Sequence, residues 1–132
     1  MGLIVCDAGV LIALLDSSDA HHNAARDALA VHIERGDRFV LPVSAYAEIL
    51  VGPLRRDESA ARVVEDLVDQ LPMVVQPVDR VLARVAAELR ARYERLRLPD
   101  ALVIATAMTI GASELLTTDQ GWPELPVAVT AI

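Results

Sequence analysis

Leu3-Ile-Val-Cys-Asp-Ala-Gly-Val-Leu-Ile-Ala-Leu-Leu15 is the stretch whose reading decides the fold. Leu3 to Cys6 is a short, continuous apolar run ending at an acid, the pattern of a strand covered on both faces of a parallel sheet. Gly9 to Leu15 then reads as a helix. The same alternation continues outward. Ser17, Ser18 and Asp19 supply caps for a helix from Ala20 to Arg35, which Gly36 closes. Arg38 to Leu41 reads as a second strand, and Pro42 with Ser44 opens a helix that Gly52-Pro53 should end or kink.

Ala61, Val64, Leu67, Val68 and Leu71 keep a helical period ahead of Pro72, and Met73 to Gln76 is a third strand. Val78 to Leu96 predicts a long helix, and Pro99 suits the first turn of another that runs to Gly111. Glu114–Thr117 and Val127–Thr130 supply the last strands. The expectation is an α/β fold: an open, mainly parallel sheet of about five short strands with helices on both faces. Right-handed crossovers would then put the carboxyl ends of the strands along one edge, where such sheets bind ligands.

At 132 residues, residues 1–132 should form a single domain with one core. Cys6 is the sole cysteine, so neither an internal disulfide nor a cysteine-based zinc site is available. That usage fits a reducing cytoplasm. The apolar start is broken by Asp7 and lacks a basic lead, which argues against a signal peptide, and no segment is long enough to span a membrane. A soluble, cytoplasmic protein is expected.

Four carboxylates interrupt apolar surroundings where the chain leaves a strand or enters a helix: Asp7 in VCDAGVLIAL, Glu48 in SAYAEILV, Asp100 in LPDALVIATA and Asp119 in LLTTDQGW. Taken singly, each has a bland explanation, since acids favour helix starts and turns. Glu48 resists it best together with Asp7, because a capping box from Ser44 would need its acid at Ala47. Four at strand exits imply a shared site. Carboxylate oxygens are hard ligands suited to Mg²⁺, with Mn²⁺ as a substitute, and four unpaired charges in one pocket would repel one another without a cation. Paired ions of this kind serve in-line phosphodiester hydrolysis.

The net charge of −7 runs against a nucleic-acid partner, but its distribution does not. Arg80, Arg84, Arg90, Arg92, Arg95 and Arg97 cluster, and Arg55 with Arg56 adds a basic pair. These are either a solvated helix face or a grip for phosphates. His21, His22 and His32 show no ligand spacing, so surface or half-buried roles are expected.

LPDALVIATA followed by LLTTD, with VCDAGVLIALL and SAYAEIL before them, resembles the PIN-domain nucleases along essentially the whole chain. The order and spacing look most like the ribonuclease toxin of VapBC toxin-antitoxin pairs. The resemblance implies a Mg²⁺-dependent endoribonuclease of a type II toxin-antitoxin system. Asp7, Asp100 and Asp119 would hold metal, and Glu48 would complete the catalytic set. Thr117 would steady the last acid's loop or contact phosphate, while Arg97, Arg55 and Arg56 would bind RNA. The resemblance also implies a homodimer and a VapB-type antitoxin covering the groove. The chain departs from the pattern in two places: Ala8 and Gly9 follow the first acid where many relatives carry a hydroxyl or amide residue, and Gly121 stands where many have another acidic or amide residue. A second metal held weakly, or with RNA bound, follows from that. The competing reading is a PIN-like module that binds protein or RNA without cleaving it.

Overall fold

The structure, a computed structural model, describes residues 1–132. Five strands and six helices alternate along the chain: β1 (Leu3–Cys6), α1 (Ala8–Leu15), α2 (His22–Glu34), β2 (Arg38–Pro42), α3 (Val43–Arg56), α4 (Glu58–Gln70), β3 (Met73–Gln76), α5 (Arg80–Arg92), α6 (Leu98–Ile110), β4 (Glu114–Thr117) and β5 (Val129–Ala131). The strands form one sheet in the order β3-β2-β1-β4-β5. Every pairing is parallel, so the sheet is wholly rather than mainly parallel.

Burial explains the apolar runs. Ile4, Val5 and Cys6 in β1, Phe39 to Leu41 in β2 and Leu115 to Thr117 in β4 are buried at consecutive positions. Because neighbouring strand residues point to opposite faces, this requires cover on both sides. α6 shares the centre: Ala101 and Val103 through Ala107 are buried, a helix apolar around most of its girth. Gly111 closes it in the left-handed conformation, with φ of 66°.

The chain builds β1, β2 and β3 outward in one direction, then crosses back to lay β4 and β5 on the other side of β1. The order therefore reverses between β1 and β4, and the crevice beyond their carboxyl ends is where an open parallel sheet receives ligands. Val5 pairs with Val40 on one side and Leu115 on the other, and Cys6 with Leu116. Asp7 and Thr117 consequently leave the sheet side by side.

Three expectations are corrected. α3 does not stop at Gly52-Pro53 but continues to Arg56. Pro53 falls in its last turn and forfeits a single backbone bond, and Gly52 beside it has nothing within 4 Å of a Cβ position. α5 spans Arg80–Arg92 rather than Val78–Leu96. Asp79 accepts from the Leu82 amide at 2.8 Å to start it, and extended Tyr93 ends it. His32 is buried at 6% exposure, not on the surface: Nδ1 lies 2.8 Å from Asp37 Oδ2, Nε2 lies 3.1 Å from Glu114 Oε2, and the ring meets Phe39 edge-on. This cluster clamps the opposite edge of the sheet, where β2 and β4 begin.

Candidate metal centre

Asp7 is fixed by its backbone and by both carboxylate oxygens. Its amide extends the sheet to the Leu116 carbonyl at 2.9 Å. As the N-cap of α1 it accepts the Ala8 amide on Oδ1 at 2.8 Å, and Oδ2 accepts the Thr117 hydroxyl at 2.8 Å. Thr117 Oγ1 in turn accepts the Asp119 amide at 3.0 Å, while Asp119 Oδ1 accepts the Gly121 amide at 2.7 Å. One buried hydroxyl thus links the first acid to the loop bearing the last.

Glu48 lies just over a turn into α3, and Asp100 sits in the first turn of α6 behind Pro99. The four carboxylates feel one another. Burial pushes the Asp7 carboxyl up, and the charges of Asp100 and Asp119 add to that against the opposing bonds from Thr117 and Ala8. Glu48 is raised by desolvation, then by Asp7 and Asp100, with Arg97 opposing. Asp100 is raised by desolvation, eased by Arg97 and raised further by Asp119. Asp7, Glu48 and Asp100 therefore ionise at a cost that a cation would offset.

Whether a divalent ion suits the crevice rests on donor chemistry and on orphaned polar atoms. The donors are carboxylate oxygens, as Mg²⁺ and Mn²⁺ require. Two buried side-chain polar atoms in the chain lack a hydrogen-bond partner, Ser44 Oγ and Trp122 Nε1, and both flank the acids. Ser44 precedes Glu48 by one helical turn, on the same face of α3. Trp122 Nε1 lies near enough to Asp100 to favour its ionised form without making a well-formed hydrogen bond to it. An ion held at the acids with its own water would be a source of partners for these two atoms. No three acid, histidine or cysteine side chains stand in ligating geometry as they are, so binding must draw the carboxylates inward. The residues fit such an ion in the chemistry of their donors.

Of the expected phosphate-binding arginines, Arg97 is at the site: its Nε lies 3.6 Å from Asp100 Oδ2, with the guanidinium largely exposed. Arg55 and Arg56 are two turns beyond Glu48 at the end of α3, about 10–12 Å along the axis. Arg56 lines a separate groove of about 440 Å³ with Asp16 and Asp57. Cys6, immediately before Asp7, is fully buried, and desolvation followed by the Asp7 charge pushes its thiol to about 12, so it stays a neutral packing group.

Gly9 has a steric cause. A Cβ there would fall 2.3 Å from Thr118 Oγ1, so a side chain at this position requires that hydroxyl to move away. Ser44 and Trp122 are site residues that the sequence reading passed over. Trp122 carried a signal: a lone tryptophan three residues after an acid in a strand-exit loop.

The PIN domain family profile matches residues 4–128, nearly the whole chain, and the protein belongs to that family. Its structural neighbours include a VapC toxin and toxin-antitoxin complexes, VapBC among them. The Mycobacterium tuberculosis toxin VapC20, described as cleaving the sarcin-ricin loop, superposes with a TM-score of 0.75 at 22% identity, over 89% of this chain and 91% of that one. A toxin-antitoxin complex from Klebsiella pneumoniae gives 0.78 at 23% identity, with 96% of each chain covered. VapBC2 from Rickettsia felis, bound to promoter DNA, gives 0.79 at 12% identity over 98% of each chain. No curated protein matches the sequence. No helix of the chain is long and apolar enough to cross a membrane.

Proposed function

We propose that the chain is a Mg²⁺-dependent endoribonuclease, the toxin of a type II toxin-antitoxin pair, with Mn²⁺ able to replace Mg²⁺. The observation that carries the reading is the gathering of Asp7, Glu48, Asp100 and Asp119 at the reversal point of the sheet, where three of them are held above the ordinary carboxylate range largely by burial and by one another. Membership of the PIN family and the likeness to VapC toxins support it. By the same analogy the toxin acts in the cytoplasm, forms a homodimer and is neutralised by a VapB-type antitoxin.

In this reading Asp7, Asp100 and Asp119 hold the ion. When bound, it supplies positive charge to the scissile phosphate and a water of lowered pKa. Glu48, the most exposed of the acids, faces solvent and accepts a proton from the attacking water. Thr117 keeps Asp7 and the Asp119 loop in fixed relation, and Arg97 meets the substrate's negative charge beside Asp100. Asp100→Asn should abolish Mg²⁺-dependent RNA cleavage while leaving the circular dichroism spectrum unchanged. Equal cleavage by wild type and variant would overturn the assignment.

A non-catalytic PIN-like module is the second reading, favoured by the absence of three side chains already in ligating geometry. Calorimetric titration with Mn²⁺, alone and with an RNA oligonucleotide, decides between them: heat of binding supports the enzyme, and none in either case supports the inert module.

A further inference from the structure

Past the end of α5 the chain turns sharply. The Leu96 amide donates to the Tyr93 carbonyl at 3.0 Å, and the Leu96 side chain is buried at 2% exposure. That anchor sends Arg95 and Arg97, its two neighbours, outward to solvent. The turn forms one wall of a groove of about 580 Å³ that also takes in Arg92, and Gly121 with Pro123 forms the opposite wall. Gly121 is the residue whose amide binds Asp119 Oδ1, so the groove opens onto the loop of the last site acid. On the far side of Leu96, Arg97 reaches the acids directly, its Nε 3.6 Å from Asp100 Oδ2.

We infer that this groove is a nucleotide subsite: it holds the phosphate and base of a single-stranded RNA next to the bond cut at the carboxylates, on Arg92, Arg95 and Tyr93. The inference rests on the nuclease reading. Charge is the first reason. In a chain of net charge −7, Arg92 and Arg95 line the groove with Glu94 as its one acid, and Arg97 lies beside Asp100. A polyanion drawn to a four-acid site needs such a lane to approach it.

Shape and surface are the second reason. The volume lies within the range of small-ligand sites, and one wall carries an aromatic ring. The Arg92 guanidinium lies 5.4 Å from the centroid of the half-buried Tyr93 ring. A planar cation already parked on an aromatic face gives a nucleobase two flat surfaces to stack on, and Arg95 is free to pair with phosphate. A single ring in the groove suits an unstacked loop nucleotide, whose base is free to stack on it, and not a duplex, whose bases stay stacked on one another.

The test is fluorescence anisotropy with a fluorescein-labelled 12-nucleotide single-stranded RNA of mixed sequence, Ca²⁺ replacing Mg²⁺ to prevent turnover, over a range of NaCl concentrations. Arg92→Ala and Arg95→Ala should each weaken binding roughly tenfold and lower the log–log salt slope by about one. Tyr93→Leu should weaken binding without changing the slope, and Tyr93→Phe should restore it. Arg62→Ala, an exposed change on α4, should do neither. Wild-type affinity and slope in the Arg92→Ala/Arg95→Ala double variant would overturn the subsite, even if Asp100→Asn still abolished cleavage. Loss of binding to an antitoxin peptide with RNA affinity intact would overturn it too. If wild type neither bound nor cut RNA with any divalent ion, the nuclease reading would fall and the subsite with it.

Discussion

Thr117 serves both halves of the crevice through one oxygen. It donates to Asp7 Oδ2 and accepts from the Asp119 amide, and it is fully buried. Thr117→Val keeps the shape but leaves a backbone amide without its acceptor and removes a donor that lowers the Asp7 carboxyl. The expected cost is about 1–3 kcal/mol in urea unfolding, with Thr117→Ser losing much less. Gly9 is a second single-residue constraint. Gly9→Ala should destabilise by about 1–3 kcal/mol, because its Cβ would meet Thr118 Oγ1 at 2.3 Å. Thr118→Ala removes that oxygen, so the double variant should recover most of the loss. A double-mutant cycle showing simple additivity would refute the clash as the reason for glycine.

Helix junctions show what the chain's chemistry makes visible and what it hides. Asp57 ends α3 in extended conformation, its amide donating to the Pro53 carbonyl, and starts α4 by accepting the Ala60 amide at 2.7 Å. Asp57→Ala should therefore cost about 1 kcal/mol by thermal denaturation, and Asp57→Asn nearly nothing. The Gly52-Pro53 pair suggested an earlier stop because proline's missing donor is a local fact, whereas its harmless place in a final turn depends on where the next cap lies. α5 was read too long for the converse reason. Its apolar period persists through Leu96, which is buried from a turn and not from a helix. His32 misled because its partners, Asp37 and Glu114, come from β2's approach and from β4, and Glu114 is remote in sequence. The places of the four acids were legible, since each sits at a strand exit or near a helix start that local pattern marks; the orphaned atoms of Ser44 and Trp122 were not, because an orphaned atom is defined by its neighbours in space.

Sheet order, which no local pattern states, sets the electrostatics of the whole molecule. It sends the acids of the carboxyl edge together and leaves the His32 cluster at the opposite edge, and the two ends respond oppositely to pH. Asp37 is held below the ordinary range by His32 and by the Gly2 amide. Its contribution is present above the unfolded carboxylate pKa, near 4, and is lost as pH falls through its depressed value. Asp7, Glu48 and Asp100 are raised, so the folded state binds their protons more tightly than the unfolded chain does. Stability from these groups is full below the unfolded pKa and falls as pH climbs through their raised values. The metal-free protein should accordingly melt lower at pH 7 than near pH 5. Asp100→Asn should flatten that decline and raise the pH 7 melting temperature by a few degrees, about 1 kcal/mol at most given solvent screening. Mg²⁺ should raise the wild-type melting temperature at pH 7, and by less as pH falls through the raised values of Asp7 and Asp100, which must then lose protons to bind it. Trp122 offers an independent optical readout, because an ion that draws Asp100 inward changes the surroundings of the chain's one indole. Its fluorescence should shift on adding Mg²⁺ at pH 7 in wild type and stay constant in Asp100→Asn. A melting profile that rises from pH 5 to 7 without metal and ignores Mg²⁺ would show that the carboxyl edge is not a strained acid cluster awaiting a cation.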